Sequence, residues 1–278
     1  MEIGIVGKMN KADLIEKLNQ SDMVLVGLGE EFDDRERFGH EPAYRDVCEC
    51  LKEEGLLWML PLWNDIFSRR MGTDRLEEGL QRLLLLLENK NYFVVSVSTA
   101  GRIACGGWRA GRLVMPCGTG LKKQCAQGCR DVLEEVTEAE HNRLSEILEE
   151  AERGFSLQGI CRPGGKGEAL LGVCPKCGAP FILNNIYAEN YNEDGYLDQW
   201  RLYTKWLQGT LNRRLFVLEL GVGMDFPSVV RWPFEKAVFF NQKAFLCRVN
   251  GRLHQLTEEL AGKGCGISQN AIEWLGQL

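Results

Sequence analysis

A mostly parallel, doubly wound (Rossmann-like) α/β sheet carrying a small zinc-binding module is the fold class that this sequence predicts. Three observations predict it: apolar runs that end directly in glycine turns, amphipathic helical stretches between them, and two short-spaced cysteine pairs. The chain has 278 residues, 45% of them hydrophobic and 26% charged. That length can bury a sizeable core, as one large domain or as a domain with a smaller appendage.

Met23-Val24-Leu25-Val26 opens the pattern and stops at Gly27-Leu28-Gly29, which reads as a buried strand feeding a tight turn. Asp74-x-x-Glu77 resembles a capping box, after which Leu76, Leu80, Leu83, Leu84 and Leu87 share one helical face. Tyr92 to Ser98 is a second strand, and Arg112 to Met115 a shorter one that stops at Pro116. Thr137-x-x-Glu140 caps a second helix, carrying Leu144, Ile147, Leu148 and Ala151. The loosest stretch runs from Gly154 to Gly178, with Pro163-Gly164-Gly165 as its loop. Leu197, Trp200, Tyr203 and Leu207 form a third helical stripe. Leu215 to Leu220 then runs into Gly221 and Gly223. Ala237 to Phe240 and Ala244 to Val249 read as two further strands, split by the turn-forming Asn241-Gln242.

Lys plus Arg number 33 and Asp plus Glu 39, a net charge of −6. This balance argues against broad contact with a phosphate backbone, so no nucleic-acid partner is expected. Met1 to Ile5 lacks the start of a signal peptide, and the leucine run Leu83 to Leu87 is far too short to span a bilayer. A cytoplasmic protein with no membrane partner is expected.

The 11 cysteines cannot all pair internally, and their spacing is not that of a disulfide scaffold. Cys125 and Cys129 form one short-spaced pair, Cys174 and Cys177 another in a Cys-Pro-Lys-Cys-Gly knuckle. Two such turns offer the four thiolates that tetrahedral zinc takes, with backbone amides free to point at the sulfurs. Neither pair contains a histidine, so the predicted zinc is structural. Cys48, Cys50, Cys105, Cys161 and Cys247 read as packing or surface residues.

Strand-to-glycine turns at the carboxyl edge of a parallel sheet expose amides that can receive a nucleotide phosphate. Gly27-Leu28-Gly29 and Gly221-Val222-Gly223 are such turns, although Glu30 and Glu31 follow the first at once. Their carboxylates would have to point away from any pyrophosphate.

The order of these motifs resembles the sirtuin family across nearly the whole chain. Gly27-Leu28-Gly29 stands where a sirtuin has Gly-Ala-Gly, and Ser96-Val97-Ser98-Thr99-Ala100 where it has Thr-Gln-Asn-x-Asp. Cys117-Gly118 stands for a His-Gly pair, followed by the two cysteine pairs in the family's order. Gly221-Val222-Gly223 stands for a Gly-Thr-Ser turn, Val249-Asn250 for an Ile-Asn pair beside a ribose, and Cys265 for a residue beside the adenine. The resemblance implies an NAD-binding unit over approximately 1–40, 90–117 and 210–278. It places a helical zinc module over approximately 41–89 and 118–209. It further implies cofactor contacts at Gly27, Gly29, Ser96, Gly221, Gly223, Asn250 and Cys265, with Ser98 and Cys117 in catalytic positions.

Three of those positions depart from the pattern. Cys117 replaces the histidine that acts as general base, Ser98 the asparagine and Ala100 the aspartate. Ala100 cannot bond an amide, and a thiolate at Cys117 needs a shifted pKa to accept a proton. Some sirtuin relatives that transfer ADP-ribose also lack the histidine, so its absence does not exclude NAD chemistry. Three readings therefore stand: an NAD-consuming deacylase or ADP-ribosyltransferase acting on a modified-lysine or acceptor protein, a non-catalytic NAD or ADP-ribose sensor or scaffold, and an α/β zinc protein with a decayed cleft. Tyr187, Glu189 and Tyr191 read equally as a substrate groove or as loop packing.

Overall fold

The computed structural model describes residues 10–71, 75–129, 132–157 and 169–278. Asp74 of the first capping box, Cys161, the Pro163-Gly164-Gly165 loop and Met1 to Ile5 lie outside the described residues. In chain order the helices and strands are α1 (Lys11–Gln20), β1 (Met23–Leu28), α2 (Arg35–Phe38), α3 (Pro42–Glu53), α4 (Leu60–Arg70), α5 (Arg75–Leu87) and β2 (Asn91–Ser96). There follow α6 (Gly101–Ala104), β3 (Leu113–Val114), β4 (Gly118–Cys125), β5 (Leu133–Glu135), α7 (Glu138–Glu152) and β6 (Phe181–Asn185). The chain continues through α8 (Leu197–Gln208), β7 (Leu215–Leu220), α9 (Arg231–Phe240), β8 (Phe245–Val249), β9 (Gly264–Ile267) and α10 (Ala271–Gly276).

Six strands form a parallel sheet in the order β3-β2-β1-β7-β8-β9, the doubly wound arrangement with β1 and β7 at its centre. Every residue of β1 and β7 is buried, as expected for strands covered on both faces. Alternation along β1 sorts its side chains between two layers. Val24, Val26 and Leu28 pack with Leu14 and Leu18 of α1, Leu80 and Leu83 of α5, and Trp274 and Leu275 of α10. Met23 and Leu25 pack on the other face with Tyr203 and Trp206 of α8 and Phe234 and Val238 of α9. The leucine face expected of α5 is the one buried, with Leu76, Leu80, Leu83 and Leu87 each at most 4% exposed.

A second, antiparallel sheet has the order β5-β4-β6 and packs with α3, α4 and α7 around their own apolar core. Thr137 caps α7 as a full capping box with Glu140, as its spacing predicts.

One strand expectation is corrected. Ala237 to Phe240 is the last turn of α9, and only Ala244 to Val249 becomes a strand, β8. A four-residue apolar run fits either period, and here the helical one wins: Phe234 and Val238 are buried four apart while Phe240 is 70% exposed. Asn241 ends the helix by donating its side-chain amide to the carbonyls of Thr210 and Arg213 at 3.0 Å each.

Under the carboxyl edge of the sheet lies a buried ionic network. Glu219 of β7 is fully buried and receives two bonds from Arg248 of β8, at 2.6 and 3.1 Å. Arg248 also reaches Glu235 at 2.7 Å, and Arg231 approaches Glu219 at 3.4 Å while donating to the carbonyls of Val222 and Leu253. The network thereby anchors the turns after β7 and β8. Glu219→Ala would strand the Arg248 guanidinium in the core, which costs about 3–5 kcal/mol. Chemical denaturation of the variant is expected to show a loss of that size, with the slope unchanged.

Candidate functional site

The turns that follow the parallel strands converge at their carboxyl ends. Gly29 lies directly on the turn after β7: a Cβ there would stand 2.2 Å from the Gly221 carbonyl oxygen and from the Val222 Cα. Only glycine permits that approach. The amides of Gly29 and Gly221 are used within the sheet edge, donating to Leu220 at 2.8 Å and Val249 at 2.7 Å. Gly221, Gly223 and Asn250 line a cleft of about 670 Å³ together with Glu30, Glu31 and Arg35.

Five further amides at these turns are taken by carboxylates. Gly223 N–H donates to Glu30 at 2.6 Å. Gly251 and Ala271 donate to the two oxygens of Glu31, at 2.8 and 2.7 Å. Thr99 N–H and the Ser98 hydroxyl both donate to Asp33, at 2.9 and 2.6 Å. Gly101 N–H donates to Asp65 at 3.0 Å. The sequence reading required Glu30 and Glu31 to point away from any pyrophosphate on these turns; instead they point at the turn amides. The segment Glu30–Asp33 forms a short 3₁₀ turn against the sheet edge, and that turn aims all three carboxylates back at the loops. Asp33 and Asp65 were not singled out from the sequence, because the contact pairs 33 with 99 and 65 with 101 only after folding.

Burial is the main cause of the electrostatics here. It raises the carboxyls of Glu31 and Asp33, against the opposing pull of their hydrogen bonds and of nearby arginines. Asp65 is pushed up to about 6 by burial, only partly offset by Arg102 and the Gly101 amide. Arg35 answers Asp33 at 3.2 Å and donates to the Tyr187 hydroxyl at 2.9 Å.

The expected catalytic and cofactor residues separate into groups. Cys117 is 2% exposed, and burial, with Asp33 and Glu30 nearby, pushes its thiol up to about 12. A neutral buried thiol is no general base. Ser98 is fully buried with its proton committed to Asp33, and Ser96 is fully buried with its hydroxyl on the Ser98 carbonyl at 3.4 Å. Gly27 lies inside β1, where its missing side chain makes room for Phe234 of α9 and for Val230 just before that helix. Asn250 spends its side chain locally, accepting from Arg252 and Leu253 and donating to Val222. Cys265 faces Cys247 across β8 and β9 and lines a different cavity of about 960 Å³, beyond the edge strand. Of the groove candidates, Tyr191 donates to the Pro116 carbonyl at 2.8 Å, Tyr187 holds Arg35, and Glu189 is exposed.

The four paired cysteines do come together. The sulfurs of Cys125, Cys129, Cys174 and Cys177 all lie within 4.8 Å of one another, with Cys125 and Cys177 at 3.5 Å. Four sulfurs at ~2.3 Å from one zinc ion would stand ~3.8 Å apart, so the set fits a tetrahedral metal. β4 delivers Cys125, and the left-handed Gly178 closes the second turn by donating to the Cys174 carbonyl at 2.9 Å. Against the cost of burial, amides of Lys176 and Cys177 bring the Cys174 thiol down to about 7.

No family model matches the chain. A protein ADP-ribosyltransferase of Staphylococcus aureus (strain Mu50 / ATCC 700699) is 22% identical over 187 residues, covering 66% of this chain and 55% of that protein. The chain thus spans about half the length of the curated relative it matches. Among solved structures, a Sir2 homologue mutant in complex with ADP-ribose aligns over 97% of this chain and 94% of that one, with TM-score 0.54 and 12% identity. A structure concerned with sirtuin substrate affinity aligns over 97% and 98%, with TM-score 0.52 and 13% identity. The fold is that of a divergent sirtuin-like protein. Among the described residues no helix is long and apolar enough to cross a membrane.

Asp65 makes the site pH-sensitive. Its folded carboxyl lies above the ordinary 3.8, at about 6, so its contribution to stability is present below the unfolded value and is lost as pH rises through about 6. Against Asp65→Asn, which keeps an acceptor for Gly101, the natural protein should lose about 2–3 kcal/mol of relative stability between pH 4 and 7. Unfolding curves of both proteins across that range check it.

Proposed function

We propose that the chain is a sirtuin-type protein that binds NAD or ADP-ribose as a sensor or scaffold and does not deacylate lysine by the family's histidine chemistry. The observation that carries this reading is Cys117: the residue in the histidine's place is buried and its thiol is held protonated. NAD, when bound, supplies a cleavable bond between nicotinamide and ribose. Beside it this chain offers a Ser98 hydroxyl already bonded to Asp33 and the methyl of Ala100, neither of which can take a proton from a sugar hydroxyl. The Gly29–Gly221 approach and the cleft volume support a nucleotide-sized ligand. ADP-ribosyl transfer to an acceptor protein is the second reading, favoured by the name of the staphylococcal relative.

The proposed organisation moves α5 and α8, which the sequence bounds put in the zinc module, to the nucleotide-binding unit, because they pack on the parallel sheet with α1, α9 and α10. The antiparallel sheet with α3, α4 and α7 is then the zinc module. Cys125, Cys129, Cys174 and Cys177 would hold one structural zinc, since four thiolates leave no open coordination position.

Two measurements test these assignments. Under saturating NAD or ADP-ribose, at a hundredfold excess over Kd, stability should rise by about 2.7 kcal/mol. Nicotinamide release with an acyl-lysine peptide should stay at the buffer rate; release that vanishes in Ser98→Ala or Cys117→Ala would overturn the non-catalytic reading. Elemental analysis should find about one zinc per chain, as a four-thiolate site takes one ion. Cys174→Ser should lose that zinc and lower the melting temperature, and a metal-free natural protein of unchanged stability would refute the assignment.

A further inference from the structure

The cleft carries its own anions. Amides at the carboxyl ends of parallel strands are where a nucleotide diphosphate gains most of its backbone hydrogen bonds. Here the amides of Gly223, Gly251 and Ala271 are already bonded to Glu30 and Glu31 at 2.6 to 2.8 Å. Those distances leave no room for a phosphate oxygen between donor and carboxylate. The amides of Gly29 and Gly221 offer no substitute, being spent on Leu220 and Val249.

We propose that Glu30 and Glu31 are a built-in competitor for nucleotide diphosphates, holding the turn amides until their side chains swing away. The inference rests on the reading of this cleft as a nucleotide site and adds the device that controls entry. A carboxylate is a fair mimic of a phosphate at a backbone amide, since both are charge-assisted acceptors. It also repels a second anion at the same place. The segment that carries Glu30 and Glu31 is itself anchored, with Phe32 2% exposed in the core and Asp33 bonded to Ser98 and Thr99, so release is a rotation of those two side chains. The segment runs from Gly29 to Asp34, whose left-handed φ of 56° marks the reversal into α2, and it carries Glu30, Glu31 and Asp33 together. Glu30 retains one buried oxygen, Oε1, without a hydrogen-bond partner, so its hold on the loop is incomplete.

The consequence concerns the diphosphate and spares the nucleoside. Calorimetric titration of ADP-ribose and of adenosine into the natural protein and into Glu30→Ala/Glu31→Ala separates the two. ADP-ribose should bind the double variant about tenfold or more tighter than the natural protein, while adenosine affinity stays within about threefold. An ADP-ribose affinity that is unchanged or weaker in the variant would overturn the competitor and leave the cleft assignment standing. Failure of both ligands to bind either protein would overturn the nucleotide reading and the competitor with it. Because the carboxylates also tie the loops together, Glu30→Gln/Glu31→Gln is titrated in parallel. It keeps an oxygen acceptor for each amide and removes the charge, so it should tighten ADP-ribose in the same direction by a smaller factor, and no tightening there refutes the proposal even if the alanine variant unfolds.

Discussion

Two adjacent carboxylates, Glu30 and Glu31, bond amides from the ends of three different strands. Gly223 follows β7, Gly251 follows β8, and Ala271 opens the helix after β9. A turn amide at a sheet edge gains from a charged acceptor, and in a nucleotide-binding sheet the ligand supplies it. Here the chain supplies it. The conformations of the loops, and the path of the segment leading to α2, follow from that satisfaction.

The same solution recurs along the sheet edge. Asp33 serves Thr99 and Ser98 at the end of β2, and Asp65 reaches from α4 to Gly101. Each carboxylate is costly to bury, which is why Glu31, Asp33 and Asp65 are all raised. The cost is offset by short amide bonds and by Arg35 and Arg102. Beneath them the Glu219–Arg248 pair fixes β7 against β8 and, through Arg231, the backbone of the turn that Gly29 touches. The site is thus a stack of mostly paired charges, with Glu30 Oε1 left without a partner, and Cys117 lies among them as a neutral group. Its neighbours Asp33 and Glu30 oppose ionisation, so the local field works against the chemistry that its position in the chain suggests.

Much of the fold was legible because burial imposes periods. The apolar runs of β1 and β7, the leucine face of α5 and the capping box of α7 each follow from local rules that need no partner. Ala237 to Phe240 was misread because a short apolar run carries no period of its own. Only the burial of Phe234 and Val238 against the sheet selects the helix. β4, β5 and β6 were not anticipated, since a small antiparallel sheet built from polar strands such as Gly118–Cys125 shows little alternation.

The candidate site divides the same way. Cysteine spacing alone located Cys125, Cys129, Cys174 and Cys177, because tight turns deliver sulfur pairs and only the distance between pairs needed the fold. Gly29 and Gly221 were also visible, though not that they touch. What the sequence by itself determined was the alternation of strands and helices and the cysteine pairs; the family resemblance added the expectation that Cys117, Ser98 and Ala100 replace three catalytic residues. Only the tertiary structure decided where Glu30, Glu31, Asp33 and Asp65 point. The reason is that a carboxylate's direction depends on which unpaired amides folding brings within about 3 Å of it, and those amides lie far away in the chain.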